Sequence, residues 1–185
     1  MKPVSRADLV DYQTYEDARE RFRGQAMATK DARRDHVGPH LTFLFENTLT
    51  IRYQIQEMMR TERIVRERDI QHELETYNAV LGGPGELGCT LLIEIDDPAE
   101  RAARLQEWHD LPFHVYARRE DGTKVYARFD ETQRDERRVS SVQYLKFPVG
   151  GRVPAAVGAD LSALSAEAVL TTAQRAALAE DLASD

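Results

Sequence analysis

The sequence holds one cysteine, Cys89, among 185 residues. An internal disulfide and any all-cysteine metal or iron–sulfur site are therefore excluded. No run of about 18 apolar residues exists, so no transmembrane helix is expected. The N-terminal stretch MKPVSRADLVDYQTYED turns acidic quickly and lacks an apolar signal core. A cytoplasmic protein is expected on that ground. Basic excess is missing too: net charge is -7 and the isoelectric point about 5.3. A general nucleic-acid binder needs a cationic surface to displace counterions, and anionic membrane attracts cations, so neither partner is expected. No P-loop, no G-x-S-x-G and no H-E-x-x-H is present.

What is present suits a globular chain: 42% hydrophobic and 31% charged residues. A chain of this length buries roughly 70% of its unfolded surface. Val4 and Leu9 bracket a helix start at Ser5–Asp8, in hydrophobic-staple spacing. Thr14 and Asp17 open a second helix to about Ala32, its inward face Ala18, Phe22 and Ala26. Arg19, Arg23, Lys30 and Arg34 stripe that helix, with Glu16 and Glu20 as local partners or an acidic surface as an outside one. Gly38-Pro39 breaks the chain. After it Leu41, Phe43 and Phe45 alternate as in a strand ending at Glu46, and the same segment also fits a helical face. Asn47 caps the next helix, TLTIRYQIQEMMRTERIVRE, with Ile51, Ile55, Met58 and Met59 as its apolar stripe. Glu62–Arg66 and Arg63–Glu67 are spaced as helical ion pairs. Asp69 caps IQHELETYNAVL, whose inward residues are Ile70, Leu74, Tyr77 and Leu81.

The pattern then turns to β. Cys89, Leu91, Ile93 and Ile95 alternate with Thr90, Leu92, Glu94 and Asp96. Asp97-Pro98 with Glu100 starts a short helix ending near Trp108. PFHVYARRE and TKVYARFDE form a hairpin across Asp121-Gly122. DETQRDERR is a charged connection, VSSVQYLKFPV a strand, and the tail from Gly150 is looser until Thr171 and Gln174 cap a last helix. The prediction is one α+β domain over 1–185: a mainly helical half (1–81), a mainly β half (86–149) and a C-terminal extension with a helix (150–185). The N-terminal helices pack on a mainly antiparallel sheet of four to five strands.

Several motifs look chemical. GPGELG, Gly83 to Gly88, matches the dinucleotide pattern, but a helix precedes and a strand follows, the reverse of what phosphate binding needs. Gly38-Pro39 separates His36 from His40, so they cannot share a helix face. Cys89 reads as a buried, inert thiol, and Ser140-Ser141 lacks a local partner. His72 and Glu75 reverse the Glu-x-x-His order of di-iron bundles. A divalent metal held by Glu57, Glu62 and His72 stays open as an alternative to no cofactor at all.

The helix after Asn47 carries the sharpest question. Tyr53, Glu57 and Arg60 share a face, and Gln54, Gln56 and Glu57 flank its core side. If the β half covers that flank, the Glu57 carboxylate must find a partner, either Arg60 or a ligand.

VGPHLTFLFENTLTIRYQIQEMMRTERI, then IQHELETYN and CTLLIEIDD, resembles a bacterial family, domain of unknown function 3501 (DUF3501). The likeness runs from LVDYQTYEDARERFR and Arg33-Arg34 to SSVQYLKF and AALAEDL, nearly the whole chain. It places the family pattern on Gly38, Pro39, Phe45, Glu46, Tyr53, Gln54, Glu57, Met58, Arg60 and Glu62. Further along it falls on Glu73, Leu74, Tyr77 and Asn78. His72 stands where the pattern has an acidic or variable residue. An Asp-His-Pro-like turn is expected near the C-terminus, and VGADLSALS around Asp160 lacks its His and Pro. Genes of this family often lie beside those for rubrerythrin-like proteins and cysteine-rich iron–sulfur oxidoreductases. The resemblance thus implies a non-catalytic accessory protein in peroxide or redox-stress physiology. Two alternatives stand beside it. One is an enzyme using Glu46, Glu57 and Glu62 as metal ligands or acid and base. The other is a small-molecule sensor with a pocket between helices and sheet.

Overall fold

The structure, a computed structural model, describes residues 1–133 and 135–184. Arg134, from the charged connection, and Asp185 lie outside the described residues. Among the described residues six α-helices and nine strands run in this order: α1 (Tyr12–Asp31), β1 (Arg34–Val37), β2 (Leu41–Glu46), α2 (Thr48–Thr61), α3 (Glu67–Asn78), β3 (Leu87–Ile93), α4 (Pro98–Glu107), α5 (Leu111–His114), β4 (Val115–Arg118), β5 (Lys124–Tyr126), β6 (Arg128–Phe129), β7 (Val142–Phe147), β8 (Ala156–Leu161), β9 (Leu164–Val169) and α6 (Thr172–Ala183). The α+β reading holds. The sheets are two, both antiparallel: five strands in the order β1-β2-β3-β7-β6, and four in the order β5-β4-β8-β9. Among the described residues no helix is long and apolar enough to cross a membrane.

Strand alternation explains the layering. Phe43, Phe45, Leu91, Leu145 and Phe147 point to one face of the five-stranded sheet. There they share a buried cluster with Val115, Ala117 and Val157 of the other sheet, joined by Trp108 and Leu178. The opposite face of the five-stranded sheet carries Leu44, Thr90 and Tyr144, in register across β2, β3 and β7, with Glu46 two residues beyond Leu44 and opposite Gly88. It looks toward the helices. They keep a core of their own, built by Ile51, Ile55 and Met59 of α2, Ile70 and Leu74 of α3, and the staple pair Val4 and Leu9. Met58, expected in that stripe, is only half-buried.

Asn47 caps α2 as its position predicts, its side chain accepting from Thr50 N at 3.0 Å. The helix expected to run past Arg66 stops at Thr61 instead. Ile64 N donates to Met59 O at 2.9 Å and Arg63 N to Arg60 O at 3.3 Å, the paired bonds of a Schellman ending. Arg63 occupies the left-handed position at φ 52°, where glycine is usual. The predicted Glu62–Arg66 and Arg63–Glu67 helical pairs therefore do not form. Glu67 binds Arg6 at 3.0 Å, and Arg66 rather than Asp69 precedes α3.

Other boundaries shift for local reasons. Asp11, not Thr14, caps α1, accepting from Gln13 N and Thr14 N. Inside α1, Tyr15 and Ala26 are buried, while Ala18 and Phe22 are half-buried. Ser5 and Asp8 close a capping box on a single 3-10 turn. β1, unread in the sequence, pairs with β2 through the Gly38 turn. Pro112 sits in the first turn of α5, so the strand predicted from that proline starts only at Val115. The tail read as looser holds the β8–β9 hairpin.

Candidate functional site

Glu57 does not meet the sheet. α1 covers Glu57, so the expectation that the β half roofs this residue is corrected, and only Gln54 of that flank meets the sheet side. Arg19 grips the Glu57 carboxylate with Nε on Oε1 and NH2 on Oε2, both at 2.9 Å. The Tyr15 hydroxyl donates to Oε1 at 2.6 Å. Burial works against the ionised Glu57. Arg19 and Tyr15 outweigh it, and the carboxyl lies below its usual range. The Tyr15 phenol is pushed far up, by burial first and by Glu57 second. Arg60, the partner expected from sequence, stands 3.9 Å from Glu57 and reaches Glu16 at 3.3 Å. Glu57 and Arg60 thus belong to an α1–α2 ion-pair knot in which Arg19 and Tyr15 satisfy the Glu57 carboxylate, while the buried Arg60 Nε keeps no hydrogen-bond partner among the described residues.

Asn78 is also structural. Its side chain accepts from Val4 N and donates to Val4 O, both at 2.8 Å, and so pins the N-terminal segment to the end of α3. Gln56, buried, does the same for Val10 through bonds of 2.8 and 3.1 Å. Glu62 and His72 are exposed and line a surface recess with Glu73, apart from Glu57. Among the described residues no group of three or more His, Cys, Asp or Glu is placed to hold a metal ion. The three-residue metal set is therefore not assembled, and Glu46, Glu57 and Glu62 stand in three separate environments.

The remaining candidates do converge. Glu46, Gln54 and Tyr77 line a cleft of about 280 Å³ between α2, α3 and the helix-facing side of β2, β3 and β7. Leu44, Ile51, Val80, Leu92 and Val142 form its apolar walls, with Tyr144 and Lys30 on its rim. Tyr144 and Val80 also border a neighbouring recess of about 510 Å³ that carries Arg128, Phe129 and Lys146. Tyr53 sits outside the cleft. Its ring lies 5.4 Å from the Lys30 ammonium, and its phenol is raised by burial and then by Glu57.

Glu46 ends β2 on the helix-facing side, so its side chain is buried at the cleft wall. Oε2 accepts from the Thr50 hydroxyl at 2.5 Å and Oε1 from the Thr90 hydroxyl at 2.8 Å. Both donors are neutral. The negative charge is felt on both sides of the sheet. The Tyr144 phenol is raised by burial first and Glu46 second, and so is the Cys89 thiol on the opposite face. Cys89 is fully buried and inert, as its strand position predicts. Where burial raises the Tyr77 phenol, the Gln54 side chain bonded to it offsets part of the rise.

Two polar groupings escaped the sequence reading. Arg33 and Asp181 make a buried double ion pair at 2.7 and 2.9 Å that fastens α6 against the start of the sheet, with Asn47 adding a bond of 3.2 Å. On the outer face of the four-stranded sheet, Asp160 accepts from Lys124 and Tyr126, both at 2.8 Å. His114 Nδ1 lies 3.1 Å away. Lys124 chiefly holds that carboxyl down to about 2. The turn around Asp160 lacks a histidine in sequence, yet His114 places an imidazole beside it.

A family model described as "Protein of unknown function (DUF3501)" matches residues 3–182. A crystal structure of a novel protein of unknown function from Burkholderia pseudomallei K96243 superposes with a TM-score of 0.90 at 30% identity, covering 98% of this chain and 100% of that one. No curated protein matches. With nearly its full length accounted for and the same fold in a solved relative, the chain belongs to the DUF3501 family.

Proposed function

We propose that this protein is a binding protein whose working site is the cleft on Glu46, and that it senses or carries a small molecule there. One observation supports this above the others. The cleft joins segments far apart in sequence around a buried carboxylate that, among the described residues, only two neutral hydroxyls satisfy. Apolar walls with a few convergent polar groups are the usual make-up of ligand sites. A merely structural acid would be expected to carry a cation, as Glu57 does.

The setting we propose is the one the family resemblance implies: a cytoplasmic accessory to a rubrerythrin-like protein and a cysteine-rich iron–sulfur oxidoreductase, under peroxide or redox stress. A low-salt pull-down with both co-encoded proteins tests that setting, and failure of both to co-elute removes it.

The cleft itself is tested with the neutral fluorophore N-phenyl-1-naphthylamine. Its emission should rise with the wild-type protein and stay at baseline with Val142→Trp, which plugs the cleft from a half-exposed wall position. An equal rise in a folded Val142→Trp protein would show that the dye binds elsewhere and the cleft is not the site.

A further inference from the structure

We infer that the cleft selects an organic cation, a primary ammonium carried on an aromatic or apolar body, with Glu46 as its anchor. The inference rests on reading the cleft as a ligand site. A carboxylate offers about four lone-pair positions. Thr50 and Thr90 occupy two, from opposite sides, and so hold the group in one orientation. Among the described residues, no lysine, arginine or histidine nitrogen stands within 4.0 Å of it. Removing an unmatched charge from water is costly, so a cation that enters regains both the pairing and the open lone pairs.

The walls suit the rest of such a ligand. Tyr77 and Tyr144 bring aromatic rings to the same cleft, which favours a cation or a flat apolar body. Lys30 is the competing feature, since an anion could pair with it. Its ammonium lies over the Tyr53 ring at 5.4 Å, on a half-buried residue at the rim. Glu46 is the more deeply placed charge, at 7% exposure. A ligand that fills the cleft must satisfy the inner charge, whereas Lys30 can swing into water on its flexible stem. Lys30 then acts as a repulsive guard whose removal should favour the cation.

The test uses three probes of matched size: phenethylamine, 2-phenylethanol and 3-phenylpropionate. Each is titrated into the full chain, and amide shifts of Tyr77, Thr90 and Tyr144 are followed by NMR. Phenethylamine should bind about ten-fold tighter than the alcohol, the value of one charge-assisted bond. Glu46→Gln should erase that margin while 2-phenylethanol still binds, showing that the cleft is intact. Lys30→Met should tighten the amine further. If 3-phenylpropionate binds as well as the amine, or if Glu46→Gln leaves the preference unchanged, the cation assignment is overturned and the cleft survives as a site for another class. If none of the probes moves these three residues, both the cation assignment and the cleft reading fall.

Discussion

Glu46 and Glu57 sit at the two flanks of α2, and their surroundings differ in kind. Glu57 has a guanidinium in two-point contact and a phenol donor, both from α1. Glu46 has two threonine hydroxyls and an opening. A half-buried carboxylate that carries its own cation fixes how two helices lie against each other. One that is buried with neutral donors alone leaves electrostatic demand unmet, and that demand is what a ligand can answer. The difference separates a structural acid from a site acid in a chain where neither was distinguishable by residue type.

The comparison can be broken at its paired end first. Asp181→Ala leaves buried Arg33 without its anion and should cost about 3–5 kcal/mol in denaturant titration. A cost under about 1 kcal/mol would mean that paired acids here are not structural. Glu57→Ala should follow, at about 2–3 kcal/mol, because Arg19 is half-exposed and can partly rehydrate. In a double-mutant cycle, Arg19→Ala and Glu57→Ala should couple by about 0.5–3 kcal/mol. Acid supplies a third check. The folded pKa of Asp160 is depressed from 3.8 to about 2, so its contribution is present above pH 3.8 and lost as pH falls through about 2. Asp160→Asn should flatten the fall in stability over that window, measured by thermal melts across pH. Glu46→Gln should do least, within about 1 kcal/mol of wild type, since an amide can still meet both threonine hydroxyls. A loss as large as that of Glu57→Ala would erase the contrast.

Local signals were legible where a single residue acts on its neighbours. Asn47 before α2, Asp97-Pro98 before α4 and Thr171 with Gln174 before α6 all cap as their spacing predicts. The Asp121-Gly122 turn joins β4 and β5, with Gly122 at φ 85°. The Arg63 ending was not legible, because arginine rarely takes the left-handed position and nothing in its letters announces it. The β8–β9 hairpin was hidden by its small residues, whose alternation is too weak to read. Of the site candidates, Glu46, Gln54 and Tyr77 proved to share one cleft. Glu57 and Arg60, on the same helix, went to a different neighbour.

Chain order and local chemistry were enough to set the α+β class, the Ile51, Ile55 and Met59 stripe of α2 and the inward face of β3, since caps and periodicity act over a few residues. Which carboxylate is paired was settled only when distant segments met. Arg19 reaches Glu57 across 38 positions, and Thr90 reaches Glu46 across 44. A charge's partner depends on distances of a few ångströms in space, and folding, not spacing along the chain, creates those distances.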